Sequence, residues 1–158
     1  MWYDELIGLV TSDVFCTVIG GVLVFVISQW ILELVIKPKV EYMRTVAKIT
    51  YALNYYADVI NNPMIIEKEK REEAFKFFID SKYGQASEEL RKLGCEIITF
   101  TFKSERNEHI SKELIYLSNS MWVYSGSELT TENRNSTHLR GLLEYIQNKK
   151  TKKQKKKK

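Results

Sequence analysis

The chain has 158 residues and a formal net charge of +4. That sum joins two opposite parts: Lys149 to Lys158 carries eight lysines and no acid, leaving 16 basic against 20 acidic residues, or about −4, over residues 1–148. The length allows one small domain and excludes a multidomain enzyme. Seven glycines and two prolines exclude collagen-like or turn-rich β character, and two cysteines with two histidines offer neither a disulfide framework nor a zinc site.

Val14 to Leu32 is nineteen residues without a charge, roughly 28 Å of helix, close to the thickness of a bilayer core. The flanks argue for a retained span rather than a signal peptide. Asp4, Glu5 and Asp13 precede the run, no lysine or arginine does, and no small-residue cleavage site follows. Lys37, Lys39, Arg44 and Lys48 follow closely. The positive-inside rule therefore places residues 10–36 across the inner membrane as a single pass, with the C-terminus cytoplasmic. Trp30 suits the inner headgroup level, and Trp2 with Tyr3 the outer one.

Small residues recur within the span at helical spacing. Ser12, Cys16 and Gly20 are four apart, as are Thr17 and Gly21, with Ser28 further along. Such faces let helix backbones approach closely in lipid, so a homo-oligomer is expected. Glu33 sits near the inner boundary, where it either reaches the headgroups or forms a carboxylate ring in an oligomer.

Lys37-Pro38 is expected to break or kink this helix and start another. Tyr42, Val46, Ile49, Leu53, Tyr56 and Ile60 then form one helical stripe, ended by Asn61-Asn62-Pro63. Residues 67–73, EKEKREE, open a helix whose apolar side is Ala74, Phe77 and Phe78. Tyr83-Gly84 reads as a break. Ala86, Leu90, Leu93, Ile97 and Phe100 resume the helical pattern, and IITFTF at 97–102, strand-like in isolation, is read as helix because EELRKLG precedes it. Ser104 is the expected N-cap of a helix carrying Ile110, Leu114, Leu117 and Met121. After the Ser125-Gly126-Ser127 loop, Thr131 or Asn133 caps a last helix with Leu139, Leu142, Leu143 and Ile146.

The expected architecture is all-α. Residues 1–37 form the N-terminus and transmembrane helix, 38–148 a cytoplasmic bundle of four to five helices, and 149–158 a disordered poly-lysine tail. Lys152, Lys153, Lys155, Lys156, Lys157 and Lys158 of that tail suit anionic lipid headgroups or RNA phosphates, bound weakly and without sequence preference.

No phosphate-binding glycine loop, HExxH, CxxC or GxSxG occurs, so no metal or cofactor is expected. One catalytic constellation remains. Arg134 and His138 are four apart near the start of the last helix and share a face. An imidazole acid/base beside a guanidinium on a phosphodiester is the chemistry of metal-independent RNA cleavage. Arg106 and His109, three apart, are a poorer version of the same pair.

Several short motifs carry a resemblance: Lys37-Pro38, the stripe from Ile49 to Tyr56 ending in Asn62-Pro63, Glu89-Leu90-Arg91-Lys92-Leu93, and Leu114-Ile115-Tyr116-Leu117-Ser118-Asn119. Over about residues 10–148 the chain resembles small single-pass bacterial membrane proteins, and in layout the membrane accessory protein of type VI-B CRISPR systems, which has a HEPN-like helical domain. The resemblance implies a ring-shaped, pore-like homo-oligomer that strengthens RNA-guided antiviral defence by permeabilising the inner membrane. The partners it implies are the bilayer, further copies, and RNA or an RNA-guided effector complex. Arg134 and His138 stand closer together than the usual HEPN nuclease pair, so the reading leans away from an enzyme. The alternatives are a membrane-tethered HEPN-type ribonuclease and a non-catalytic membrane scaffold.

Overall fold

A computed structural model describes Tyr3, Gly8 and residues 13–155, with Val14, Glu128 and 149–155 as backbone only. Trp2, Ser12, Lys156, Lys157 and Lys158 lie outside the described residues. The chain divides into two compact units, Met1–Glu41 and Tyr42–Lys158.

The first unit is built on α1 (Asp13–Ile31), a π-helical turn (Leu32–Ile36) and the start of α2 (Lys37–Tyr55). Helix runs on without interruption from Phe15 to Tyr55, and its apolar window has a mean hydropathy of 2.2 with no residue buried. That length and composition suffice to cross a membrane. Of the break or kink that its sequence suggested, Pro38 therefore does not make the break. It lacks an N–H and crowds the carbonyl four residues back, and the wide turn just before it accommodates both. There the Lys37 N–H bonds the carbonyl of Leu32, five residues back. Two hydroxyls inside the run bond backbone carbonyls one turn back. The Thr17 hydroxyl donates to the Asp13 carbonyl and the Ser28 hydroxyl to the Val24 carbonyl, each at 2.7 Å.

The second unit takes up α2 at Tyr42 and adds α3 (Ala57–Asn61), α4 (Arg71–Asp80), α5 (Lys82–Ile98), α6 (Ser104–Asn119) and α7 (Glu128–Lys155). The expected stripes supply its core. Ile49, Leu53, Ile60, Leu90, Ile97, Ile110, Leu114, Leu117 and Met121 are all fully buried, and Leu142 nearly so. Burying side chains of this size stabilises by about 1.5–3 kcal/mol each relative to exposure. Helices α5 and α6 pack most extensively. Their approach needs Gly94, where a Cβ would lie 3.3 Å from Ile115 Cγ1 and 3.4 Å from the Ser111 carbonyl oxygen.

Several local features depart from the sequence reading. The unit is mostly helical rather than purely so: β1 (Met64–Ile66) and β2 (Trp122–Tyr124) form a two-stranded parallel sheet, Met64 opposite Trp122 and Ile66 opposite Tyr124. Three-residue strands are too short to show a period of two. Helix α5 ends at Ile98, so Phe100 and Phe102 lie in the following turn, where both pack edge-on against Tyr42. The buried Asn107 amide holds that turn by donating to the Phe100 and Phe102 carbonyls at 2.7 and 3.1 Å.

Ser104 is not the N-cap of α6; Lys103 is, with a left-handed φ of 66° and no side-chain cap. The break before α5 falls at Ser81, which caps the helix by accepting from the Tyr83 N–H. Gly84 sits inside α5, because a Cβ there would run into the Phe78 and Ile79 carbonyl oxygens. Phe78 is buried, but Phe77, expected beside it, is 65% exposed. Thr131 and Asn133 lie within α7, which begins at Glu128. The helix runs past Asn148, the expected start of disorder, to Lys155, since no glycine or proline stops it.

Glu96 of α5 ties that helix to α2. The Thr45 hydroxyl bonds its Oε1 at 2.6 Å and Lys48 Nζ lies at 3.5 Å. The Thr45 bond, against the opposing effect of burial and with help from Lys48, holds the carboxyl below its ordinary 4.5. A carboxyl lowered in the folded state stabilises above its unfolded value, and that stabilisation is lost as pH falls through the folded one. Unfolding followed below pH 4.5 should therefore show a stability loss that Glu96→Gln flattens.

Candidate functional site

Arg134 and His138 both fall on α7, but the side chains around them differ sharply. Arg134 is exposed and makes no ion pair among the described residues. His138 is half-buried against α6. Its Nδ1 lies 2.6 Å from Glu113 Oε2, and its ring lies 4.2 Å, centroid to centroid, from that of Tyr116. Glu113 thus orients the imidazole and leaves Nε2 as the nitrogen it does not engage, the arrangement in which a carboxylate fixes a histidine tautomer. No spacing rule could have found Glu113, because it lies 25 residues from His138.

The residues between the pair are structural. Asn135 is fully buried, and its amide donates to the Ile60 carbonyl at 3.0 Å and the Ser120 carbonyl at 3.1 Å. Those carbonyls sit at the ends of α3 and α6, where helical partners run out. The Ser136 hydroxyl donates to Asn61 Oδ1 at 3.0 Å. This stretch of α7 is a latch across two helix ends. Two surface grooves, one lined by residues from Ile98 to Ile115 and one from Arg44 to Glu89, do not contain Arg134 or His138. An imidazole oriented by a carboxylate can accept a proton or hold an anion. We expect purified full-length protein to leave labelled single-stranded RNA intact, with His138→Ala indistinguishable. Cleavage that disappears in His138→Ala would make the pair catalytic.

The second pair meets on one ring but differs in burial. Arg106 is buried and its guanidinium carbon lies 5.7 Å from the centre of the Tyr145 ring, whereas His109 is exposed and meets the same ring edge-on. Among the described residues no cluster of histidine, cysteine or carboxylate side chains could hold a metal ion.

The residues expected to associate in the membrane are all exposed where described. A Cβ added at Gly20 or Gly21 would meet nothing within 4 Å, and Cys16 is exposed. Glu33 pairs with Lys37 one turn along at 3.1 Å, both well exposed, which favours a local neutralised pair at the boundary. Lys152, Lys153 and Lys155 belong to the last turns of α7. Comparison with protein-family models, curated proteins and solved structures gives no match.

Proposed function

We propose that the protein is a single-pass inner-membrane protein with its N-terminus outside and its helical unit in the cytoplasm. Copies of its span associate and perturb the bilayer. The observation that carries this reading is the bare apolar helix: within its unit nothing covers the side chains of Val18, Val22, Phe25 or Ile27, each at least 54% exposed. Lipid or other spans are the natural cover for such a surface. The open glycine positions offer the close approach that association between spans requires. The RNA-guided antiviral setting rests on the family resemblance, and there the protein acts as a non-catalytic, pore-like accessory.

Topology is tested with reporters fused after Lys158, which should behave as cytoplasmic; a periplasmic signal contradicts the orientation. Assembly is tested with Gly20→Ile and Gly21→Ile, which the monomer accommodates freely. Both should reduce oligomer size in detergent, and an unchanged oligomer would move assembly to the helical unit.

A further inference from the structure

A buried cation in the second unit lacks an anion. Arg106, in the first turn of α6, is only 9% exposed. Its Nε is buried without a partner, and a terminal nitrogen makes only a long bond, 3.4 Å, to the Ile146 carbonyl. No carboxylate pairs with it among the described residues. A guanidinium cannot shed its charge, and burying one unpaired is costly. Tyr42, within range of the Arg106 charge, is 4% exposed, and its hydroxyl is likewise buried without a partner. Burial raises the Tyr42 hydroxyl pKa, and the Arg106 charge acts against that rise. Lys103, held at its left-handed φ of 66°, places Nζ 4.5 Å from the centre of the Tyr42 ring.

The position of this corner in the chain matters as much as its charge. Tyr42 opens the second unit, six residues after Ile36, the end of the apolar run. Ile146 stands three residues before Lys149, where the lysine-rich segment starts. The segment that leads into the lysines therefore reaches Arg106, and the residue that opens the unit lies within range of its charge.

The geometry points to the Tyr42–Lys103–Arg106 corner as a binding site for the phosphate of an anionic phospholipid headgroup. A phosphate supplies the negative charge and the pair of oxygen acceptors that the planar fork of a guanidinium takes, with Lys103 as a second cation. Free phosphate has the same acceptor chemistry. The lipid is favoured because Tyr42 follows the apolar run so closely in the chain and the lysines add long-range attraction to an anionic leaflet. This inference rests on the reading that residues 15–36 cross a membrane.

The test uses full-length protein in uncharged detergent, with thermal unfolding followed as phosphatidylglycerol, phosphatidylcholine or inorganic phosphate is added at equal phosphorus. Phosphatidylglycerol should raise the wild-type midpoint by several degrees, and the other two should not. Arg106→Gln should abolish the shift, and Tyr42→Phe and Lys103→Ala should each reduce it. If Arg106→Gln fails to fold, Tyr42→Phe and Lys103→Ala decide. Truncation after Asn148 should leave most of the shift in place; a shift lost with the lysines alone overturns the site. A response to inorganic phosphate alone overturns the headgroup assignment. Equal responses to both lipids by membrane-integral protein overturn the headgroup site only. Recovery of the chain as soluble protein without detergent would instead overturn the membrane reading beneath it.

Discussion

Replacing Val22 and Val26 together by arginine should remove the protein from the membrane fraction. Both side chains project from the uncharged part of α1, at 54% and 39% exposure, with nothing in their unit to shield a charge. Each arginine near the centre of a span costs about 2.5–3.5 kcal/mol on insertion scales, so the pair costs roughly 5–7 kcal/mol. The measurement is the fraction resisting carbonate extraction. Val22→Leu with Val26→Leu should remain fully integrated. Equal extraction resistance for the arginine variant and wild type would show that the run does not enter the hydrocarbon core.

The second large effect lies in the helical unit. Asn135→Ala strips the carbonyls of Ile60 and Ser120 of a shared donor, the first bond buried and the second half-buried. Leaving the Ile60 carbonyl unsatisfied should cost about 1–3 kcal/mol, which for a domain of this size lowers the unfolding midpoint by on the order of 5–10 °C. Ser136→Ala removes only the half-buried contact to Asn61 and should cost less than about 1 kcal/mol. Thermal unfolding of the full chain in detergent compares the two. Equal midpoints for Asn135→Ala and wild type would show that the latch contributes nothing.

What could be read from the sequence follows the length scale of each signal. The apolar run and the stripes through Ile49, Leu90, Leu114 and Leu142 repeat over several turns, and periodicity found them. Shorter features left no period to read. The paired strands at Met64 and Trp122 are three residues each, and Pro38 is absorbed by a single wide turn. Phe77 and Phe78 are adjacent and point ~100° apart on the helix, and sequence alone does not choose which of them faces the core. The candidate site was least legible. Arg134 and His138 drew notice through their spacing, yet the partner that orients the histidine is Glu113, on another helix. The residue between them with the clearest structural task is Asn135, whose polar side chain hides its burial. Arg106 looked like half of a weak catalytic pair and is instead a buried cation. Such roles arise from contacts distant in sequence, which a single chain does not display.

Copies of the apolar helix are proposed to associate in the bilayer and breach it. Ion leakage from vesicles carrying reconstituted full-length protein tests this most directly, provided insertion is verified by protection from added protease. Wild type should release a trapped ion, and Gly20→Ile, inserted to the same extent, should release much less. Vesicles that stay sealed around fully inserted wild-type protein would contradict the account.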